Sequence, residues 1–394
     1  MTNLSRFSPD KWRNLFPVTK HSVYVNHAAC SPMSTRVRSA LDQLLEASST
    51  DAVDNFPKWV ETREHLRALV GRLIQAPVSR IAFVKNTSDG LNILANGIPW
   101  KPGDRIILAD CEFPSNVYPF LNLKKRGVEI DFVKNRNGFL YPGDFEKMIT
   151  PGTRLLSVSF VEFVNGFRND LEALGEICRK NNIIFCVDSI QGLGAVPLDV
   201  TAARIDFLSN GGHKWLMAPA GIGFIYVSDD LMRRIDPSNV GWLSVKDAWN
   251  FFDYKLDLLD DARRFELATE NWLGIYGLNA SVELLLEAGI ENIFEHLRTL
   301  HKILSEGLAE TGMIVVSSPE EKHRSGILSF CSPRPEETKF IFDFLAKNHI
   351  IASYREGLIR IAPHFYNTGD EMIQILNSIK SFLKIRTHND SMTQ

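Results

Sequence analysis

Between residues 80 and 227 short β-rich runs recur, and helical patterns fall between several of them. No other feature constrains the fold as strongly. The runs are RIAFV (80–84), RIILA (105–109), VEIDFV (128–133), RLLSVSF (154–160), IIFCV (183–187), IDFLS (205–209) and GFIYV (223–227). DLEALGEICRKNN (170–182) places Leu171, Leu174, Ile177 and Cys178 on one helical face. SDGLNILANGI (88–98) opens with capping residues. Strands alternating with helices read as an α/β fold, a mainly parallel seven-stranded sheet covered on both faces. Beyond about residue 260 the texture changes to long helical patterns (270–310, 336–348) and the short strands GILSFC (326–331) and LIRIA (358–362). We expect a large domain over 21–260, and a smaller α+β domain built from 1–20 and 261–394. The polar tail THNDSMTQ (387–394) is expected to fray.

Composition removes several classes of function. Lys and Arg total 44 against 47 Asp and Glu, a formal charge of -3. That balance gives no footprint for nucleic acid or an anionic membrane. The five cysteines are scattered and form no CxxC pair. This fits a reducing compartment and argues against a disulfide framework or a metal site. The N-terminal MTNLSRFSPDKWRNLF has no apolar core of a signal peptide, and no apolar run approaches the ~20 residues of a membrane span. The expectation is a soluble, cytoplasmic protein.

In sheets of this kind, chemistry sits beyond the carboxyl ends of the strands. After RIAFV come Thr87 and Ser88 at a helix start. Their hydroxyls, free N–H groups and the positive helix end suit a phosphate; an ordinary N-cap has the same appearance. After IIFCV comes Asp188, costly when buried without a partner, and either a cap or a carboxylate held for a cation. After IDFLS comes NGGHKWLMAPAG (210–221), with His213 and Lys214 side by side. A crowded lysine has a depressed pKa and becomes a nucleophilic amine that forms Schiff bases. A phosphate cradle, a ring-nitrogen acid and such a lysine are together what pyridoxal phosphate needs.

On these residues the chain resembles the class V aminotransferase family of fold-type I pyridoxal-phosphate enzymes, which includes cysteine desulfurases, kynureninase-like and isopenicillin-N-epimerase-like proteins. The resemblance runs from about Val23 to about residue 375. It is carried by YVNHAACSP (24–32), FVKNTSDGLN (83–92), CVDSIQGLG (186–194), GHKWLMAPAGIGFIYV (212–227), RRFELATEN (263–271) and LIRIAPHFYNT (358–368). It implies that Lys214 forms the Schiff base and shuttles protons, and that His213 binds phosphate or braces the lysine. Asp188 would pair with the pyridine nitrogen, and Gln191 would bond the ring hydroxyl. Thr87 and Ser88 would bind the phosphate, with Thr269 arriving from the partner subunit of a homodimer. Arg360 would grip the carboxylate of an amino-acid substrate or keto acid. Asn26 and Ala29 belong to the segment at the substrate side. Arg355 either assists or is a surface charge.

The departures from the family are informative. Desulfurases place a stacking, acid–base histidine after the strand near 105–109. Here the loop reads DCEFPSNVYPF (110–120), so Phe113 would stack, though an ungapped match falls on Pro114. The family's ring-side Asn is replaced around Phe163, with Asn165 out of register. Gly211 takes the place of a phosphate-binding hydroxyl. No cysteine stands at 350–360, where desulfurases keep their persulfide nucleophile; Cys331 reads as a small residue in a strand, and Cys30 lies near the substrate segment. Transamination is the favoured reaction. Elimination or epimerisation, or a non-catalytic cofactor-binding scaffold, are the other readings, and cysteine desulfuration is less favoured than these.

Overall fold

The computed structural model describes residues 7–392, with side chains as far as residue 386. After a two-residue strand β1 (Val23–Tyr24), the seven apolar runs become β2 (Ile81–Val84), β3 (Arg105–Ala109), β4 (Glu129–Val133), β5 (Thr153–Ser159), β6 (Ile184–Asp188), β7 (Phe207–Gly211) and β8 (Gly223–Val227). They form one sheet in the order β2-β8-β7-β6-β5-β3-β4. Every pairing is parallel except those of β8, which runs against both β2 and β7. Two reversals cancel, so β2 points the same way as the other five. Six carboxyl ends therefore open on one edge. Strands β2, β6, β7 and β8 are buried along their whole length, as a sheet covered on both faces requires.

Local chemistry explains where boundaries move. IDFLS becomes Phe207–Gly211 because the Asp206 side chain is occupied with bonds to its neighbours. Phe185 N donates to its Oδ2 and Ser228 Oγ donates to its Oδ1. The helical stretch 270–310 divides into Trp272–Ala288 and Ile290–Glu310, bent by 74°. The break is Gly289 at φ +81°, a conformation other residues reach only with strain. No single helix among the described residues is long and apolar enough to cross a membrane. The final helix runs Gly369–Met392, so the backbone of the polar tail is helical as far as residue 392. Extending an existing helix avoids the cost of nucleation. Residues 393–394 lie outside the described ones.

Beyond the large sheet, β9 (Ile314–Val315), β10 (Leu328–Cys331), β12 (Ser353–Arg355) and β13 (Leu358–Ile361) form a four-stranded antiparallel sheet; β11 (Ile350–Ile351) instead pairs in parallel with β1. Strands β12 and β13 are joined by only two residues, Glu356 at φ +47° and Gly357 at φ +78°. Positive φ at both positions is the signature of a type I′ hairpin turn. The N-terminus packs on this part of the chain. Arg13 bridges to Glu371 at 2.8 Å, and Phe16 stacks on Tyr366 with centroids 3.9 Å apart.

One buried ion pair fastens the segment before Thr269 to the large sheet. Arg67, in helix Phe56–Ile74, donates to Glu266 from Nη1 at 2.7 Å and from Nη2 at 3.1 Å. The same carboxylate accepts from Phe83 N, and Arg67 also donates to Ile81 O. Both residues are buried, so removing one strands the other charge away from water. Arg67→Ala is expected to lower unfolding stability by about 3–5 kcal/mol, measured as a fall in the denaturant midpoint. An unchanged midpoint would show that the pair contributes nothing.

Candidate active site

The loops at the shared sheet edge enclose a cavity of ≈ 350 Å³. The strand-end loops contribute Thr87, Ser88, Phe113, Ser115, Phe163, Asp188, Gln191, His213 and Lys214, while the β12–β13 hairpin contributes Arg355 and Arg360. Ala28 and Ala29 complete the wall from the N-terminal segment. Residues separated by more than 300 positions thus meet in one chamber.

Asp188 ends β6 and is buried. Burial pushes its carboxyl up from 3.8 to about 6, against the opposing effects of the Ile190 N–H and of Lys214. Ile190 N donates to its Oδ1 at 3.0 Å, and Oδ2 has no hydrogen bond among the described residues. Lys214 is displaced the other way. Burial brings its ammonium down to about 8; Asp188 resists this, while Arg360 and Arg355 reinforce it. At neutral pH a useful fraction of this amine is unprotonated, as a nucleophile must be. Its Nζ lies 5.5 Å from the centre of the Phe113 ring. Phe113 in turn meets Phe163 edge-on at 5.3 Å. Phe113 and Phe163, the two aromatics expected in these loops, both line the cavity.

The lysine segment is held by its neighbour, the fully buried Trp215. Trp215 Nε1 donates to Gln191 Oε1 at 3.1 Å, and its carbonyl meets His364 Nε2 at 3.0 Å. His364 is therefore structural. Gln191 Nε2 donates to Ala28 O at 3.0 Å, leaving one amide N–H for a ligand. The His213 carbonyl accepts from Ser31 N, tying this segment to the N-terminal one.

At the other end of the cavity, helix Thr87–Gly97 starts after β2 with Asn86 as its cap. Thr87 Oγ1 is buried without a partner among the described residues. Ser88 Oγ donates to Ser115 Oγ at 2.9 Å. A Cβ placed on Gly211 would lie 3.2 Å from Thr87 Oγ1 and 3.6 Å from His213 Cε1, so His213 stands at this anion-seeking end. Its imidazolium is disfavoured by burial and by Lys214.

Arg360 is buried and aimed by Ser353 Oγ at 3.1 Å and the Phe163 carbonyl at 2.6 Å. Two expected residues fall elsewhere. Asn26 is not part of the lining; its backbone bridges to Ala362, and its Oδ1 is buried without a partner among the described residues. Thr269 is exposed and lines a separate groove of ≈ 610 Å³. Asn165 is spent on Gly138 O and Phe167 N. Sequence reasoning missed Ser115, two positions after Phe113, and the buried acids beside it. Glu112 accepts from Ser159 N at 2.6 Å and Ser159 Oγ at 2.5 Å, pinning the Phe113 loop to the end of β5. Burial pushes Glu112 up to about 7, and burial and Glu112 push Glu162 up as well.

Known proteins resemble this chain over nearly its whole length. The Aminotransferase class-V family model matches residues 23–359. A probable cysteine desulfurase of Methanothermobacter thermautotrophicus is 28% identical, over 92% of this chain and 95% of its own. An uncharacterized aminotransferase of Bacillus subtilis, YcbU, is 26% identical over 94% and 97%. The apo structure of a cysteine desulfurase from Thermococcus onnurineus NA1 matches with a TM-score of 0.85 and 26% identity, over 95% of this chain and 98% of that one.

The residues present fit pyridoxal phosphate. The orphaned Thr87 hydroxyl and the helix start await an anion, Asp188 is a half-protonated acid near pH 6, and Phe113 offers a flat apolar wall. Asp188 also sets a conflict between stability and function. Its folded pKa is raised, so native protein keeps a proton between pH 3.8 and about 6 that unfolded chain has lost. Stability therefore falls as pH rises through that window and stays lowered above it. Asp188→Asn is expected to stabilise the cofactor-free protein at pH 8 by about 1–3 kcal/mol. Turnover of the loaded enzyme should fall by roughly 10²-fold or more. A variant that is less stable, or that turns over normally, would show the carboxylate is not held at a cost for catalysis.

Proposed function

The chain belongs to the class V aminotransferase family, whose members depend on pyridoxal phosphate, and from that premise we propose that it transaminates an amino acid. The observation that carries this reading is the distribution of proton-moving groups around the cavity. Lys214 faces the phenyl ring of Phe113, which Phe163 meets edge-on, and His213 stands at the Thr87 end. No cysteine is among the lining residues. Epimerisation needs a second base on the opposite face, and elimination gains from an acid at the leaving group. Transamination needs one base that takes a proton at one carbon and returns it at another.

When bound, pyridoxal phosphate supplies a carbonyl for an amine and an electron sink for the developing carbanion. Lys214 would provide the amine that attaches it and, once the substrate's amine has displaced it, would as a free amine take the proton from the substrate Cα. Asp188 holds a proton for the ring nitrogen. Thr87, Ser88 and the helix start bind the phosphate, with His213 beside them. Gln191 offers its remaining N–H to the ring hydroxyl, and Arg360 fixes the substrate carboxylate.

The names of several relatives favour desulfuration as a second reading. Against it stands the β12–β13 turn of two residues, Glu356 and Gly357. A persulfide carrier there would need a reach that this turn does not have. Cys30 is exposed outside the lining, and Cys111 points to Glu162 at 3.7 Å. The free state of all five cysteines supports a reducing, cytoplasmic setting.

A panel of amino acids without keto acid tests the reaction. The expected result is a single turnover that leaves the cofactor in its pyridoxamine form, reversed by adding a keto acid. Steady release of ammonia with keto acid, or of sulfide from cysteine, would replace transamination by lyase chemistry. Borohydride should fix the cofactor to wild type and not to Lys214→Ala.

The same reading extends to a homodimer. Thr269 is exposed and outside its own chain's cavity, which supports delivery to a partner's phosphate site. Hybrids of Lys214→Ala with Thr269→Ala subunits then contain one site with both defects and one with neither. Recovery of cofactor affinity and activity in the hybrid is expected. If the intact-lysine site keeps the threonine defect, Thr269 serves its own chain.

A further inference from the structure

Two guanidinium groups face the cavity, and the proposed reaction uses one. In the hairpin register Ser353 lies opposite Arg360, and Arg355 opposite Leu358. Positions 353, 355, 358 and 360 therefore share one face of the two strands. Arg355 and Arg360 are diagonal neighbours on that face, roughly 7–8 Å apart at the backbone, and both side chains line the cavity. Arg360 is fixed by Ser353 and the Phe163 carbonyl. Arg355 makes no hydrogen bond or ion pair with its side chain among the described residues, although it is flanked in sequence by Glu356. Among the described residues, the only carboxylate lining the chamber is Asp188. Two like charges on one face repel, and nothing on the protein side neutralises the outer one.

We infer that the substrate is an α-amino acid carrying a second carboxylate on its side chain, with the α-carboxylate on Arg360 and the distal one on Arg355. The two-residue type I′ turn keeps the outer arginine close to the inner one. This spacing suits a short dicarboxylate whose two ends engage both guanidinium groups at once. A guanidinium with no internal partner is free to take the distal carboxylate as a charge-assisted pair. A neutral side chain would leave it unpaired.

The inference rests on the carboxylate grip of Arg360 and not on transamination, so the test separates the two. Calorimetric titration of the cofactor-loaded enzyme with succinate and glutarate, against propionate and butyrate, reads the arginine pair without chemistry. The dicarboxylates should bind roughly 10- to 100-fold more tightly than the monocarboxylates. Arg355→Gln should abolish that ratio, Arg355→Lys should keep part of it, and cofactor affinity should not move. In the kinetic panel, acidic amino acids should show the lower KM, and Arg355→Gln should raise it. Equal binding of mono- and dicarboxylates overturns the inference, as does an Arg355→Gln variant that keeps the preference or instead loses cofactor. If dicarboxylates are preferred but no pyridoxamine form appears, the substrate class stands and transamination fails.

Discussion

Everything at the site depends on an acid and an amine being buried in the same chamber. Asp188 is driven up to about 6 and Lys214 down to about 8 by the same cause, the loss of water. Each opposes the other's shift, yet burial dominates both. Such an arrangement costs folding energy, and the scaffold has to hold it in place. Asp188 is fixed by its position at the end of a central parallel strand. Lys214 is fixed by Trp215, whose indole and carbonyl bond Gln191 and His364. These contacts explain why the lysine follows two glycines and precedes a tryptophan. The glycines let the chain pass close to its neighbours, and the tryptophan prevents the segment from moving.

Much of this was legible in the sequence because parallel sheets obey simple rules. Seven apolar runs became seven strands of one sheet, and the residues just past their carboxyl ends became the cavity. Asp188 followed an apolar run directly, and Thr87 and Lys214 stood three and five positions past theirs, so the shared edge of the sheet brought them together. Pattern alone did not reveal the reversal of β8. A buried strand is uniformly apolar whichever way it runs, and direction depends on the connection. The division of 270–310 was likewise hidden, because one glycine at positive φ in a helical pattern looks like any other helical glycine.

What stayed hidden is contact between elements distant in sequence. Glu112 looked like one acid in a loop. Its two bonds to Ser159, which fix the Phe113 loop, exist only after β3 and β5 lie side by side. Ser115 acquired its place through Ser88, 27 positions away. Arg355 could not be assigned from a linear string, where it is one charge beside another. Hairpin register gave it a face, and that face lines the cavity. Thr269 marks the opposite limit, because a single chain shows where it is and not what it meets.

In the proposed reading, the hairpin is where a short turn would select chemistry on a shared scaffold. A long loop between β12 and β13 would let a side chain travel to the substrate and back, as a sulfur carrier must. Glu356 and Gly357 instead close the strands at once, with both residues at positive φ. Gly357 takes that conformation freely, and Glu356 takes it at some cost. The strain is local and the return is rigidity. Arg360 keeps its partners in Ser353 and Phe163, and Arg355 stays beside it. A wall of this kind holds anions in fixed places and moves no atoms of its own. In the proposed reaction, motion of protons is left to Lys214, the amine that burial desolvates in this cavity, and the outcome follows from which carbon that amine can reach.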